Sequence, residues 1–419
     1  MRKPSRPVRA LGVLVLAAPL SLLASPAQAA AECDGQPATI VGTAGDDELV
    51  GTRGADVIAG LDGNDVIEGR GGDDVICGDE GRDTLHGGGG DDSVHGGLGQ
   101  LREDRGGDPI VDGDDLFGGP GDDLFDGGVD DRGVTRHPDT VSYQTATRSV
   151  AVDLADLTGH GQGRDRFVAQ EWRIVGSPYG DFVTGSDGRD VIEGRRGPDV
   201  IDAGGGDDSI TTDPAGHPRR ADADVVHGDD GMDYIYAEAG ADRLYGDGGQ
   251  DHIYDMGARG ADRVFGGRGD DGLSDVVVDA RRQRIDGGTG YDWISVGTHV
   301  RRDGRVIRPN GFADLAAGQA RLLWPHGRRA FRLAAAESLR LPVRAGRWTV
   351  YGTADANTLR SPLGRRAVRF FGRAGDDELW GSRRADLLNG GPGVDEAHPL
   401  EGRDVCVHVE RPAGCEVLR

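Results

Sequence analysis

Aspartate recurs at every ninth residue from Gly42 to Val94, always at the sixth place of the same short unit. The six consecutive units read GTAGDDELV, GTRGADVIA, GLDGNDVIE, GRGGDDVIC, GDEGRDTLH and GGGGDDSVH. Carboxylates repeated in this way, beside glycine carbonyls and without a matching pattern of His or Cys, are a set of hard oxygen ligands. The chemistry that this pattern predicts is the binding of calcium rather than of zinc or copper.

Glycine and aliphatic residues at fixed places in the unit indicate how the carboxylates are positioned. Each unit follows the pattern G-x-x-G-x-D-x-U-x, in which U is aliphatic. Glycine at the first and fourth places permits positive φ and lets backbone carbonyls approach an ion without an intervening Cβ. The x-U-x that follows the aspartate predicts a short strand with one inward side chain. Each unit therefore predicts a turn that presents ligands and a strand that buries one apolar residue.

This nonapeptide resembles the repeat of the RTX, or haemolysin-type, calcium-binding proteins, here of a secreted actinobacterial type. The resemblance implies an all-β fold: a right-handed parallel β-roll (β-solenoid) in several blocks, with two units in each coil. Residues eighteen apart would then stack about 4.8 Å apart. Carboxylates near 4 Å repel by roughly 4 kcal/mol at an effective dielectric of 20, unless a cation lies between them. The implied cofactor is calcium, bound at multiple sites.

The sixth place of each unit gives the residues predicted to bind calcium. The predicted ligands are Asp47, Asp56, Asp65, Asp74, Asp83, Asp92, Asp115, Asp123, Asp190, Asp199, Asp208, Asp233, Asp242, Asp251, Asp262, Asp271, Asp292, Asp377, Asp386 and Asp395. The predicted inward residues of the first two rolls include Leu49, Ile58, Ile67, Ile76, Leu85, Val94, Phe117, Phe125, Ile192, Ile201, Ile210, Ile235, Leu244, Ile253, Val264 and Ile294. Some units are altered; Asn357, for example, stands where an aspartate is usual.

Glycine and acidic residues dominate the composition. Glycine accounts for 73 of 419 residues, aromatic residues for 5%, and the formal net charge is −24. Ordinary proteins contain about 7% glycine. Without the nine-residue period, such a composition would predict a disordered polyanion. We therefore expect the calcium-free chain to be largely disordered and ion binding to decide whether the roll folds.

Residues 1–29 are predicted to be a signal peptide. Four basic residues among the first nine precede an apolar stretch from Ala10 to Ala24, and Ala27-Gln28-Ala29 forms a small-x-small cleavage signal. A retained anchor is the alternative, but about 15 apolar residues are short of the roughly 20 that a bilayer requires. Removal of the four basic residues takes the formal charge from −24 to −28. The prediction is a secreted, extracellular protein without a membrane span, with attachment to the cell surface left open.

Changes in the period divide the rest of the chain into predicted blocks. These are a calcium-binding β-roll with an N-terminal cap (30–130), a β-rich connector (131–175), a second calcium-binding roll (176–296), an Arg-rich β insertion (297–350), a short third roll (351–395) and a C-terminal cap with a disulfide (396–419). The connector also resembles a passage found between repeat blocks of RTX proteins, but an insertion that continues or caps the roll is the favoured interpretation of it. We expect the two non-periodic passages to interrupt the stacking of coils.

The four cysteines suggest two disulfides, for which three pairings are possible. Cys406 and Cys415 are nine residues apart, so a local loop is the simplest pairing. That leaves Cys33 to pair with Cys77. This second bridge is less secure, because the two residues would lie roughly 10 Å apart at one strand spacing per coil unless the leader folds along the roll.

An Arg-rich passage is the one sequence feature that suggests a partner. Between Arg301 and Trp348 there are eleven arginines and three acidic residues, a local balance of +8. Such a passage could bind a cell-wall polymer or another surface polyanion. The alternative, docking on the acidic roll of its own chain, is favoured because few aromatic residues are interleaved. Nucleic acid is disfavoured as a partner on the same ground.

Two classes of function are consistent with the sequence. The first is a structural or surface-interaction protein whose rigidity depends on calcium. The second is an extracellular enzyme, a hydrolase or a polysaccharide-modifying enzyme, with an unrecognised site on the roll or its insertions. The sequence contains no His-Glu-x-x-His zinc motif and no Gly-x-Ser-x-Gly nucleophile turn. The repeated acidic pairs are explained as ion ligands, so we predict a non-enzymatic protein.

Overall fold

A computed structural model describes residues 31–103, 109–128, 135–136, 138–168, 172–213, 222–238, 240–255, 260–276, 283–296, 310–324, 327–341, 346–361 and 366–418. These residues form short β-strands and turns and contain no helix. None of them therefore lies in an apolar helix long enough to cross a membrane. The predicted signal peptide, residues 1–29, lies outside the described residues.

The chain winds into flattened coils whose strands stack in two parallel sheets. Successive units alternate between the sheets, so residues eighteen apart become neighbours, as in the pairing of Ile58 with Ile76 and of Ile67 with Leu85. The all-β, parallel β-roll prediction is confirmed. Sheet 1 contains, in stacking order, Ile40–Val41, Val57–Asp62, Val75–Gly81, Ser93–Glu103, Leu124–Asp126, Arg164–Phe167, Thr158–His160, Ala151–Asp153, Phe182–Thr184, Val200–Asp202, Val225–His227, Arg243–Gly249, Arg263–Arg268, Arg284–Thr289, Gly327–Ala334, Gln319–Trp324, Asn310–Asp314, Trp348–Tyr351, Val368–Phe371, Leu387–Asn389, Val405–Val407 and Val417–Leu418.

Sheet 2 is a parallel ladder that runs from Glu48 to Pro412 through the described residues. It contains Glu48–Val50, Val66–Glu68, Thr84–His86, Asp115–Phe117, Thr140–Ser142, Arg173–Val175, Val191–Glu193, Ser209–Thr211, Tyr234–Ala237, His252–Asp255, Gly272–Val276, Trp293–Val296, Ser338–Arg340, Thr358–Arg360, Glu378–Trp380, Glu396–His398 and Arg411–Pro412. Two short strands, Glu32–Cys33 and Gln36–Pro37, form a separate pair. Three further short strands extend sheet 1 beside its main ladder: Pro109–Asp112, Thr135–Arg136 and Asp230–Gly231.

One apolar side chain from most of the strands fills the space between the sheets. The predicted inward residues are buried in this core, with two exceptions. Leu49 is only half-buried, because it lies in the first strand of sheet 2. Phe117 is half-buried on the outer face and Leu116 takes the inward place, because Leu116 is the residue that pairs with the core residue Leu85.

Both non-periodic passages form the same structure, a three-stranded antiparallel insertion within sheet 1. In the first, Arg164–Phe167 pairs in parallel with Leu124–Asp126, and Ala151–Asp153 pairs in parallel with Phe182–Thr184. Thr158–His160 joins the two inserted strands by antiparallel pairing. The ladder of sheet 1 thus continues through the insertion instead of stopping at it.

The second insertion repeats this arrangement at 310–334. Gly327–Ala334 pairs with the preceding coil and Asn310–Asp314 pairs with the following one. Each insertion has an aspartate at the end of its first strand that accepts a backbone hydrogen bond three residues on: Asp153 from Asp156 (2.9 Å) and Asp314 from Ala317 (3.1 Å). The expectation that these passages interrupt the stacking is therefore wrong, because hydrogen bonding crosses both of them in both sheets.

Disulfides hold the two ends of the described solenoid. Cys33 lies in an antiparallel pair of short strands and is bonded to Cys77, with the two Cα atoms 5.6 Å apart. Cys406 is an inward residue of the last coils and is bonded to Cys415 in the tail, with a Cα separation of 5.9 Å. Both pairings agree with those predicted.

Candidate metal centre

Each of the regular turns ends on an aspartate that lies two residues before a core side chain. In the unit 60–68, the turn passes through Leu61, whose φ is 81°, to Asp65, and the strand Val66–Glu68 follows. Because side chains alternate along a strand, Asp65 points to the same side as Ile67. The side chain of Asp65 is consequently buried, with 1% of its surface exposed.

Hydrogen bonds join these aspartates from one coil to the next. The backbone N–H of Asp74 donates to Oδ1 of Asp92 (2.9 Å), and the N–H of Asp92 donates to Oδ1 of Asp123 (3.1 Å). In the same way, the backbone N–H of Asp233 donates to Oδ1 of Asp251 (3.0 Å). The result is two stacks of carboxylates, which we name column 1, at the turns that lead into sheet 1, and column 2, at the turns that lead into sheet 2.

The second carboxylate oxygen of many column members is buried and has no hydrogen-bond partner among the described residues. This is an unfavourable arrangement for a metal-free carboxylate, since a buried charge needs a compensating partner. The residues whose Oδ2 is in this state are Asp65, Asp74, Asp83, Asp92, Asp123, Asp199, Asp208, Asp233, Asp251, Asp271, Asp292, Asp377 and Asp395.

Burial and mutual repulsion raise the pKa of these carboxyl groups. Loss of hydration is the main cause for Asp83, whose pKa is raised to about 7. The N–H bond from the preceding coil opposes the rise, whereas neighbouring carboxylates add to it. The pKa values of Asp123 and Asp242 are raised to about 8 by the same main cause. Without a cation, therefore, several column members favour the protonated form near neutral pH.

The space beside the first glycine of a turn is lined by oxygen atoms. A Cβ on Gly60 would overlap Oδ2 of Asp65 and the carbonyl oxygen of Gly78. A Cβ on Gly69 would likewise overlap Oδ2 of Asp74 and the carbonyl of Gly87. Buried carboxylate and carbonyl oxygens without nitrogen or sulfur ligands are the donor set that suits calcium. The unpartnered Oδ2 atoms and these carbonyls thus fit a calcium ion.

The family model of the RTX calcium-binding nonapeptide repeat matches residues 41–76, 69–100, 175–213, 220–253, 256–273 and 371–406. These segments contain most of the glycine turns and column members described above; Asp123 and Asp292 lie outside them. The chain is an RTX nonapeptide-repeat protein. A search of curated proteins gave no match. RTX repeats bind calcium, and among the described residues the two columns bring together carboxylate and carbonyl oxygens of the kind that calcium requires.

Nineteen of the twenty residues predicted to bind calcium lie in the two columns, each two residues before an inward side chain; the exception is Asp115. Its neighbour Asp114 takes the place in column 2 and accepts the backbone hydrogen bond of Asp83 at 2.8 Å. Asp115 lies on the outer face and pairs with Arg82 at 3.3 Å. The prediction was shifted by one residue because the insertion before this unit obscures its phase.

The columns contain further aspartates that the nine-residue period alone did not reveal. They follow the shorter pattern D-x-U, an aspartate two residues before a buried apolar residue, and this pattern could have identified them in the sequence. These additional members are Asp114, Asp139, Asp165, Asp181, Asp224 and Asp404. A glutamate takes the corresponding place at Glu337 and Glu410, where it accepts the N–H of Asp292 and of Asp395, each at 2.8 Å.

A separate group of possible ligands lies outside the columns. His227, Asp229 and Asp247 bring one ligand atom each to within 4.8 Å of one another. Nδ1 of His227 is 2.7 Å from Oδ2 of Asp247, and the histidine ring stacks on Tyr245. Both side chains of this pair are more than one third exposed. The group therefore differs from the calcium columns, whose carboxylates are buried.

Proposed function

We propose that this protein is a secreted, calcium-binding repeat protein whose folding is driven by extracellular calcium and whose role is structural or surface-interacting. The observation that carries the proposal is the set of buried Oδ2 atoms without partners in the two columns. At neutral pH these carboxylates must either keep a proton or meet a cation. Calcium supplies the cation, and its binding free energy thereby becomes folding free energy.

Several independent features support secretion and a non-enzymatic role. Two disulfides are typical of proteins from oxidising compartments, and the sequence begins with a predicted signal peptide. The matched family model describes a calcium-binding repeat rather than a catalytic domain. The repeated acids that could imitate a catalytic pair are accounted for as members of a column.

Circular dichroism during a calcium titration tests this function. The mature chain should lack most of its β signal in chelator and gain it with calcium, with a midpoint in the range of about 10⁻⁴ to 10⁻³ M that is typical of extracellular modules. Magnesium at the same concentration should induce little β structure, because it requires smaller octahedral sites. An identical β spectrum with and without chelator would contradict calcium-driven folding.

The proposed partner is a surface polyanion, and the support for it is a groove lined by arginines. Arg243, Arg263, Arg284 and Arg332 occupy the same register on successive strands of sheet 1. The last three, together with Arg321 from the second insertion, line a groove of about 950 Å³, which we name the arginine groove. On a chain of net charge −24, such a row of cations is a local exception.

Most of these arginines are not neutralised by the protein itself. Arg284 is paired with Asp286 at 2.7 Å and lies over the ring of Phe265. Arg263, Arg321 and Arg332 are exposed and form no ion pair with any described residue. Within the described part of the chain, these side chains are therefore available to an external anion. Most of the arginines between Arg301 and Trp348 have side chains outside the described part of the chain, and the expectation that they dock on their own roll stays a prediction.

A carboxylated linear polysaccharide fits the arginine groove better than nucleic acid does. The register places one guanidinium per strand spacing of about 4.8 Å, which suits a polymer with one carboxylate on each sugar ring. Single-stranded nucleic acid requires aromatic faces on which bases can stack. The ring of Phe265 is covered by Tyr245 on one side and by Arg284 on the other.

Calorimetry of the calcium-loaded protein with a soluble oligogalacturonate, its methyl ester and oligothymidylate tests the partner. The acid form should bind and the neutral ester should not, and Arg263→Gln should weaken binding by about tenfold because a charge-assisted contact is lost. Arg369→Gln is the matched control, since Arg369 is exposed at the same place in sheet 1 but pairs with Thr349 and Leu387 instead of arginines. Equal losses in both variants, or tighter binding of oligothymidylate, would refute the choice of partner.

A further inference from the structure

The residue four places before a column member distinguishes two kinds among most of the turns; the turns before Asp114, Asp242 and Asp404 belong to neither kind. In one kind it has a left-handed backbone, as at Leu61 (φ 81°) before Asp65 and Arg373 (φ 85°) before Asp377. All thirteen aspartates whose Oδ2 lacks a partner among the described residues belong to this kind. In the other kind the residue is threonine or serine, and its φ is not positive.

The turns with threonine or serine satisfy their own carboxylate. In the turn 51–56, the backbone N–H of Thr52 donates to Oδ2 of Asp56 at 2.6 Å. In the turn 185–190, both the N–H and the hydroxyl of Ser186 donate to Oδ2 of Asp190, at 2.6 and 3.0 Å. The six turns of this kind, which we name self-capped turns, pair Thr43 with Asp47, Thr52 with Asp56, Ser177 with Asp181, Ser186 with Asp190, Thr353 with Asn357 and Ser382 with Asp386.

The self-capped turns occupy a special position in the columns. Within each roll they are the first turns, one in column 1 and one in column 2. In the first roll these members are Asp56 and Asp47, in the second Asp181 and Asp190, and in the third Asp386 and Asn357. Turns that follow them, such as 60–65 in the first roll and 372–377 in the third, are left-handed.

We propose that the six self-capped turns bind no calcium and act as metal-free caps that begin each column, whereas the left-handed turns are the calcium sites. This inference rests on the proposed calcium function and deepens it by assigning which turns take the ion. The physical reason is that an N–H donor in the carboxylate's coordination space presents a positive dipole to a cation and occupies one of the two lone pairs of that oxygen. The donor thus replaces the ion instead of assisting it.

Asn357 provides separate support for this assignment. It takes an aspartate's place in the column, yet its neutral amide contributes no charge to a cation. Oδ1 of Asn357 accepts the N–H of Thr353 at 2.6 Å, as the aspartates do in the other self-capped turns. The uncharged Asn357 therefore lies in one of the turns to which this assignment gives no calcium ion.

Native mass spectrometry of the full mature chain in calcium tests the proposal by counting bound ions. Thr52→Gly removes the side chain whose hydroxyl bonds to the backbone of Gly54 and permits a left-handed turn. A left-handed turn would take the backbone N–H of residue 52 away from Asp56, so the variant should bind one ion more than the wild type. Leu61→Thr disfavours the positive φ of the next turn, which would let the backbone N–H of residue 61 donate to Asp65 as in a self-capped turn, and this variant should bind one ion fewer. Thr52→Val is the matched control: it removes the hydroxyl but disfavours positive φ, and its count should stay at that of the wild type.

The outcomes separate this inference from the proposed function. If the wild type binds no calcium, calcium-driven folding itself is wrong. If the wild type binds calcium but Thr52→Gly gains no ion, the self-capped turns do not exclude calcium and only this inference is overturned. Circular dichroism of each variant in calcium confirms that a changed count reflects a changed turn in a folded protein, and Thr52→Gly decides the question even if Leu61→Thr fails to fold.

Discussion

The backbone N–H of Asp65 donates a 2.7 Å hydrogen bond to Oδ1 of Asp83, one coil further along, while Oδ2 of both residues has no partner among the described residues. The two oxygens of each of these carboxylates therefore have different roles. Oδ1 connects successive coils, and Oδ2 is left for the ion. Because the left-handed turns repeat this division, loss of one charge and loss of one coil contact can be separated by mutation.

Asp65→Asn should raise the calcium midpoint for folding by about tenfold, because the affinity of calcium sites follows the number of charged ligands. The amide oxygen can still accept the N–H of Asp47, which donates to Oδ1 of Asp65 at 2.8 Å in the wild type. Circular dichroism at a series of calcium concentrations measures the midpoint. The change should appear in the midpoint and not in the final β signal.

Asp62→Asn is the control for this prediction. Asp62 is in the same unit but is exposed and outside the columns. It changes the net charge by the same amount as Asp65→Asn, so its midpoint should move little. Equal shifts in the two variants would show that overall charge, rather than place in the column, governs calcium binding.

The nine-residue period predicts much of this architecture, because a single spacing determines turn, ligand and inward residue together. Where the chain departs from the period, other information is needed. The shift from Asp115 to Asp114 is a local example, since strand pairing with Leu85 sets the phase after the insertion. The self-capped turns were not foreseen either, because threonine or serine at the second place also conforms to the repeat pattern.

Both antiparallel insertions were beyond prediction from local pattern. Their strands alternate like ordinary β-strands, and nothing in the alternation states that the third strand stacks on the preceding coil while the first supports the next one. That connection depends on long-range pairing, which the sequence of a single strand does not encode. The fold is consequently more continuous than its sequence blocks suggest.

The metal-free chain should gain β structure as the pH is lowered. Burial raises the pKa of Asp83 and Asp92 to about 7 in the folded form, from a usual value near 3.8. Between these values the folded state binds more protons than the unfolded state, so the stability of the metal-free fold decreases as the pH rises. Dialysed protein should therefore show more β signal by circular dichroism at about pH 5 than above about pH 8, where the carboxylates require calcium.

The influence of overall charge on this prediction can be removed with salt. The chain has a net charge of −24, and lowering the pH reduces repulsion between exposed acids as well. About 1 M salt shortens the screening length to roughly 3 Å and weakens exposed interactions more than buried ones. The pH dependence should persist at that salt concentration. A metal-free β signal that rises with pH would contradict the role assigned to the buried carboxyls.

The first insertion should contribute to the stability of the calcium-loaded solenoid. Trp172 is fully buried in the core and makes an edge contact with Phe167 of the inserted strand, with 5.8 Å between ring centroids. Trp172→Ala should lower the free energy of unfolding by about 3 to 5 kcal/mol, as is usual for such truncations in a core. Val168→Ala, at a side chain that is 53% exposed in the same region, is the control and should have little effect. Similar thermal melting of both variants in calcium would indicate that the insertion is not part of the continuous stack.

The last disulfide should hold the C-terminal end of the solenoid. Cys406 is 1% exposed and occupies an inward place, and its strand Val405–Val407 pairs with Leu387–Asn389 and with Val417–Leu418. A bond that closes a loop of nine residues in sequence separation restricts the unfolded chain by roughly 2 to 3 kcal/mol. Cys406→Val combined with Cys415→Ser removes the bond and keeps an apolar residue in the core. Hydrogen exchange in calcium should become faster after about residue 350 in this double variant, while residues 42–94 keep the exchange rates of the wild type. Faster exchange over the first roll as well would show that the loss spreads through the whole stack, and the bond would then have to be regarded as stabilising the entire solenoid rather than its end.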